Sequence, residues 1–176
     1  MPRYIIELRP TIAKHDDLVK ALAKELKSDS GGIQPLILER VVHPGPMRYV
    51  VVIWDKFKSV PADLRPEVIV TAYDKAEGKA HADTVMTAEG VTALEALALG
   101  HLPYCVATAR KKNDPIGQAG YAAAVKAEAT ATVLGAKAKE LRYARREDAE
   151  AAAKRLNTLL PGSVWVVSEQ TEPSDE

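Results

Sequence analysis

The feature that most constrains this fold is an almost continuous apolar run, YVVVIW at residues 49–54, which follows a second β-rich segment and a turn. Branched and aromatic residues favour strands, and Pro and Gly between two such runs favour a turn. We therefore predict an antiparallel hairpin formed by residues 35–42 and 47–57, joined by the HPGP turn at 43–46. Because a strand that is apolar throughout needs cover on both faces, we expect 49–54 to lie centrally in its sheet.

Helical periodicity flanks this hairpin on both sides. Residues 15–27 carry leucines one turn apart with lysines on the other face, which predicts an amphipathic helix. Residues 59–78 are ambiguous, because EVIVTAY has strand propensity. The spacing of Leu64, Val68 and Ala72 favours a helix, and Gly78 stands where such a helix would end. A further short helix is predicted at 92–100.

The remaining segments alternate between strand and helix patterns without a regular repeat. Strands are predicted at residues 4–8, 103–109, 139–144 and 163–169, and helices at 118–135 and 146–160. Such an order predicts an α+β protein with helices packed on a mixed or mostly antiparallel sheet, or on two small sheets. We expect an N-terminal half at 1–100, a βαβαβ C-terminal half at 101–170 sharing its core, and a disordered acidic tail at 171–176.

Charge and cysteine content narrow the classes of function. Acidic and basic residues balance at 24 each, so the chain lacks the excess positive charge of a protein built around a nucleic-acid backbone. The single cysteine, Cys105, cannot form an intrachain disulfide and favours a reducing compartment. No apolar run approaches the length of a membrane span. We expect a cytoplasmic protein that does not enter a membrane and has no strong affinity for nucleic acid.

The segment RKKNDPIGQAG at residues 110–120 is the clearest candidate for a ligand loop. It joins a predicted strand to a predicted helix, and a helix N-terminus offers unpaired N–H groups to anions. Lys111, Lys112, Gly117 and Gly120 could together bind a phosphate, a nucleotide or RNA. The alternative is a plain turn, since Asp-Pro favours turns and no complete phosphate-loop motif is present.

The other polar residues do not form a recognisable reactive set. The four histidines lack the spacing of a zinc site, and Cys105 lies in an apolar strand pattern typical of a buried thiol. No nucleophile–base pair, metal set or cofactor motif is evident from the residues. We therefore predict a non-catalytic binding module with no cofactor, acting on a protein partner or as a homo-oligomer. Such a module should show an apolar, uncharged sheet face or a paired strand edge.

Residues 49–78, YVVVIWDKFKSVPADLRPEVIVTAYDKAEG, resemble the BolA-type proteins, which share the type II KH-like order of elements. Phe57, Val60, Arg65 and Tyr73 stand in places similar to those of that family, and the likeness covers residues 15–109. It implies a partnership with glutaredoxins through a shared iron–sulfur cluster. The family's ligands are a histidine before the third strand and a histidine or cysteine in the hairpin loop. The resemblance thereby implies His101 and His43 as metal ligands.

Overall fold

The computed structural model describes residues 11–12, 16–29, 32–42, 45–111, 117–130, 141–160 and 163–169. The chain divides into two compact units, Met1–Thr92 and Ala93–Glu176. Each described unit contains one sheet with helices packed on it, which confirms the predicted α+β class. The predicted strand at 4–8 and the predicted tail at 171–176 lie outside the described residues.

The first unit is built on a four-stranded mixed sheet. In chain order its elements are β1 (Thr11–Ile12), α1 (Asp16–Glu25), β2 (Leu36–Val41), β3 (Arg48–Ile53), a 3-10 turn (Asp55–Ser59), α2 (Arg65–Glu77), α3 (Lys79–Ala82) and β4 (Val85–Val91). The strand order is β1-β2-β3-β4. Strands β2 and β3 form the predicted antiparallel hairpin, and β3 pairs in parallel with β4.

Strand β3 is internal to this sheet, as its apolar sequence predicts, because β2 and β4 flank it. Val52 and Ile53 point to opposite faces and are both fully buried, so cover on both faces is confirmed at that end of the strand. The prediction is wrong at the other end, where Tyr49 is 41% exposed. An aromatic ring counts as apolar in a sequence pattern, yet its hydroxyl tolerates water.

Helix α2 confirms that periodicity outweighs strand propensity in residues 59–78. Ile69, Ala72 and Tyr73 are fully buried on one face of the helix. Gly78 ends it with a φ of 88°, a conformation that glycine adopts without the penalty a side chain would bring. With α1 and the inner face of the sheet, α2 forms one apolar core, whose members include Leu18, Leu22, Trp54, Phe57 and Tyr73.

Strand β4 packs against the start of α2 unusually closely. A Cβ atom placed on Gly90 would lie 2.9 Å from Cβ of Arg65 and 3.0 Å from Cζ of Phe57. The Arg65 guanidinium donates from Nη1 to the Gly90 carbonyl at 3.0 Å and from Nε to the Val60 carbonyl at 2.9 Å. Arg65 is therefore a buried structural residue that joins the start of α2 to the 3-10 segment and to β4.

The second unit is built on a three-stranded antiparallel sheet. Its elements are α4 (Ala93–Ala98), β5 (Tyr104–Lys111), α5 (Gly117–Thr130), β6 (Leu141–Tyr143), α6 (Arg146–Leu159) and β7 (Ser163–Glu169), and the strand order is β6-β5-β7. Helix α6 covers one face through Ala149, Ala152 and Leu156, all fully buried. None of the helices among the described residues combines the length and apolar character needed to cross a bilayer.

Candidate functional site

The predicted ligand loop lies at a strand-to-helix joint, as expected. Strand β5 ends at Lys111, helix α5 begins at Gly117, and Gly120 lies in its first turn. Lys112 lies outside the described residues, and at Lys111 the structure describes the backbone alone. The flanking strand and helix are therefore where the sequence predicts them, residues 112–116 lie outside the described residues, and anion binding by the lysines stays a prediction.

The two histidines implied as metal ligands are not both described. His43 lies outside the described residues, and His101 is a half-buried residue in the short connection between α4 and β5. Strand β5, which follows His101, belongs to the second sheet. Counted from the hairpin strands β2 and β3, the third strand is β4, which was not predicted from the sequence. The histidine that precedes this third strand is His81, in α3.

Buried ionisable groups converge beside β4 on the helix-covered face of the first sheet. Tyr73, fully buried on α2, donates its hydroxyl to Oε1 of Glu39 at 2.5 Å. The other carboxylate oxygen of Glu39 accepts from Nη1 of Arg48 at 3.0 Å. Burial, reinforced by the hydrogen bond to Glu39 and by that carboxylate's charge, raises the pKa of Tyr73 well above its usual value. The phenol therefore stays protonated as a donor.

His81 links this cluster to solvent. Its ring stacks on Tyr73 with centroids 6.0 Å apart and planes 6° apart. Its Nε2 lies 2.6 Å from Oε2 of Glu77, one turn back along the chain, and the His81 side chain is 33% exposed. Stacking and the carboxylate together fix the imidazole plane, which is how proteins orient a histidine for a defined role.

The charges of this cluster nearly compensate one another, which suits a structural network. Arg48 offsets Glu39, and His81 contacts Glu77. In the described ranges no group of three or more His, Cys, Asp or Glu side chains is arranged to hold a metal ion. Within the described part of the chain, the cluster thus places one partly exposed imidazole beside the carboxylate of Glu77.

A second polar cluster lies between α5 and α6. Arg155 donates two hydrogen bonds to Glu128, from Nε at 2.7 Å and from Nη2 at 2.9 Å. The nearby Tyr143 hydroxyl is buried and makes no hydrogen bond among the described residues. Burial and the charge of Glu128 raise the pKa of Tyr143 to about 12. Such a bidentate pair orders the two helices and leaves no free charge for a ligand.

One face of the second sheet is exposed where β7 meets the middle of β5, whereas Cys105 on the same face is buried. Alternation along β7 places Trp165 and Val167 against α6 and turns Val164 and Val166 to the opposite side. Val164 is 47% and Val166 43% exposed, and exposed Ala107 lies beside Val166 on β5. We call Ala107, Val164 and Val166 the open face. Its side chains are apolar, small and uncharged.

Helix side chains bond the backbone at one residue of each of two edge strands, β4 and β7. On β4, Val91 turns its carbonyl toward Trp54 of the neighbouring segment, so the Gly90 carbonyl points away from β3 and accepts from Arg65. On β7, the Asn157 amide bonds both backbone groups of Trp165. Covering an edge in this way prevents unplanned strand addition.

Comparison with known proteins gives no relative for this chain: no family model, no curated protein and no solved structure matches it.

Sequence reasoning missed the open face and the role of His81. The alternation of Val164 and Val166 with Trp165 and Val167 was visible, but both sets are apolar, so nothing marked which set faces out. His81 would have been found by recognising β4. That strand contains Ala, Glu and Gly, which are poor strand formers, and its pairing with β3 overrides their propensity.

Proposed function

We propose that the protein is a non-catalytic interaction module that binds a protein partner through the open face. The observation that supports this most is the exposure of Val164 and Val166 on an antiparallel sheet whose other face packs against α6. When a partner covers apolar side chains that were in contact with water, the free energy of the system falls, which favours binding. Buried Cys105, a lone thiol, fits work in the cytoplasm.

The shape of the open face defines the partner's chemistry. Small side chains on neighbouring strands form a flat surface, which suits a partner that presents its own flat apolar patch, as stacked sheets do. Three exposed apolar side chains supply only a small contact area, which corresponds to a transient association.

The test compares partner binding by the wild type with binding by Val164→Lys. A lysine side chain at this exposed strand position stays hydrated in the unbound protein, so the fold should survive. Burying its charge in an apolar contact is costly, so partner binding should be abolished. Leu159→Lys, on the exposed side of α6, is the matched control. A partner found by cross-linking is then purified and titrated by calorimetry. Equal affinity for all three proteins, or turnover of a common substrate class, would contradict the proposal.

A second candidate function is the metal adaptor implied by the BolA-type resemblance. It is favoured by the order of elements α1, the hairpin β2–β3, α2, α3 and β4, in which β4 runs parallel to β3. It is also favoured by the position of His81, which lies in α3 directly before β4. His81 fits as one ligand, because its imidazole is partly exposed and lies beside the Glu77 carboxylate. A cluster bound there would supply electron transfer or cluster delivery with a glutaredoxin.

Reconstitution separates this candidate from the first. The protein is mixed anaerobically with iron, sulfide and a glutaredoxin, and the visible absorption of a shared cluster is recorded. We expect His81→Ala to lose the colour and His101→Ala to retain it, because His81 precedes a strand of the first sheet and His101 precedes a strand of the second. A colourless wild-type mixture, or colour in the His81 variant equal to that of the wild type, excludes the adaptor.

A further inference from the structure

Asn157 on helix α6 occupies the edge of β7 as a neighbouring strand would. Its Oδ1 accepts from the Trp165 N–H at 2.8 Å, and its Nδ2 donates to the Trp165 carbonyl at 3.1 Å. These are the two bonds that a residue of an antiparallel strand exchanges with its partner in a hydrogen-bonded pair. The side chain therefore satisfies the edge at Trp165 and excludes another strand from it.

The position of Asn157 makes this contact removable. The residue is exposed on the solvent side of α6, so its amide can rotate into water and recover there the hydrogen bonds that it gives up. The pairing of β7 with β5 does not depend on it. Opening the edge thus costs two hydrogen bonds and no rearrangement of the sheet.

The sequence of β7 is complementary to itself at this edge. Backbone groups alternate in direction along a strand, so Ser163, Val167 and Glu169 point the same way as Trp165. An antiparallel copy that uses the whole strand must be centred on Val166. Trp165 then pairs with Val167, Ser163 pairs with Glu169, and the two Val166 residues face each other on the twofold axis. No like charges are opposed in this register.

We propose that the edge of β7 is a gated self-association site, closed by Asn157 and filled, when open, by β7 of a second copy of this chain. The pairing would form a continuous six-stranded sheet across the twofold axis. Each copy exchanges two side-chain bonds for a ladder along seven residues. The proposal concerns the edge of the sheet and is independent of partner binding on the open face.

The first test is sedimentation velocity of Asn157→Ala at increasing concentration. Because two bonds in each copy no longer oppose pairing, we expect self-association to be at least about tenfold tighter than in the wild type. Thr158→Ala, the next residue on the exposed surface of α6, is the matched control and should behave as the wild type. Circular dichroism checks that each variant is folded, and Asn157→Ser replaces the alanine variant if that one is unfolded.

Two further variants test the register. Val166→Lys in the Asn157→Ala background places two ammonium groups opposite each other on the twofold axis and should restore the monomer. Val166→Cys in that background should form an intermolecular disulfide, because facing residues of a non-hydrogen-bonded pair are about 4.5 Å apart between Cα atoms. Val164→Cys is the matched control, and its sulfurs should stay too far apart. Folded Asn157→Ala with unchanged association, or equal cross-linking through residues 164 and 166, would overturn the proposal.

Discussion

Replacing Gly90 by alanine tests the close contact between β4 and α2. The new Cβ would lie 2.9 Å from Cβ of Arg65, 3.0 Å from Cζ of Phe57 and 3.1 Å from Cε1 of that ring. Real Cβ atoms do not approach carbon this closely, so strand or helix must shift. Phe57 is fully buried and cannot swing into solvent. The strain therefore falls on the core of the first unit.

The expected magnitude follows from two costs and one gain. Overpacking in a core costs about 1–3 kcal/mol, and displacement of the Arg65 bond to the Gly90 carbonyl adds about 1–2 kcal/mol. Loss of unfolded-state freedom on replacing glycine returns about 0.4–1 kcal/mol. The net loss is about 2–4 kcal/mol in the free energy of unfolding, enough to lower Tm by more than about 8 °C in a unit of this size.

Urea unfolding monitored by tryptophan fluorescence measures this loss. Gly100→Ala is the control, because a Cβ there meets nothing within 4 Å and only the φ of 75° opposes it, at about 1 kcal/mol. Phe57→Leu in the Gly90→Ala background shortens the clashing side chain, so the double variant should lose less than the sum of the singles. A Gly90→Ala variant within about 0.5 kcal/mol of the wild type would refute the packing argument.

Three further predictions concern the cores. Tyr73→Phe should cost about 1–2 kcal/mol in urea unfolding, because Glu39, 9% exposed, loses a buried hydrogen bond. Above pH 10 stability should fall, because the unfolded phenol of Tyr143 ionises near pH 10 and the folded one near pH 12. Solvent screening limits the part due to Tyr143 to about 1 kcal/mol, and Tyr143→Phe should remove that part in melts taken between pH 9 and 12, while the part due to Tyr73, whose pKa is also raised, remains. Leu156→Ala should cost about 2–5 kcal/mol and exposed Leu159→Ala under about 0.5 kcal/mol, compared by thermal melting.

The polar cluster around Tyr73 and the pair Glu128–Arg155 share one physical role. Each places a carboxylate between a helix and another element and satisfies it with a fixed donor. A buried carboxylate is costly unless it is paired, so each pair selects one packing of its helix and disfavours alternatives. That role explains these charges without catalysis and accords with a binding module.

Local pattern was sufficient to predict most helices and strands. Helix α2 formed despite its strand-favouring residues because Ile69 and Tyr73 recur at helical spacing and Gly78 ends the helix. Strand β4 was not predicted, since Ala88, Glu89 and Gly90 within it are poor strand formers and pair with β3 all the same. Because β4 was not predicted, β5 stands as the first predicted strand after the hairpin, and His101 precedes β5. The first strand after the hairpin is β4, and the histidine before it is His81.

The sequence by itself determined the α+β class, the hairpin, and the joint between Lys111 and Gly117, because periodicity and turn chemistry act between residues near in the chain. Tertiary structure alone decided which apolar side of β7 meets water and that Asn157 closes its edge. The residues on both faces of β7 are apolar, so the sequence pattern does not show which face is buried. Only the placement of α6 buries Trp165 and leaves Val166 exposed. A side chain's exposure depends on what packs over it, and that partner is distant in the chain.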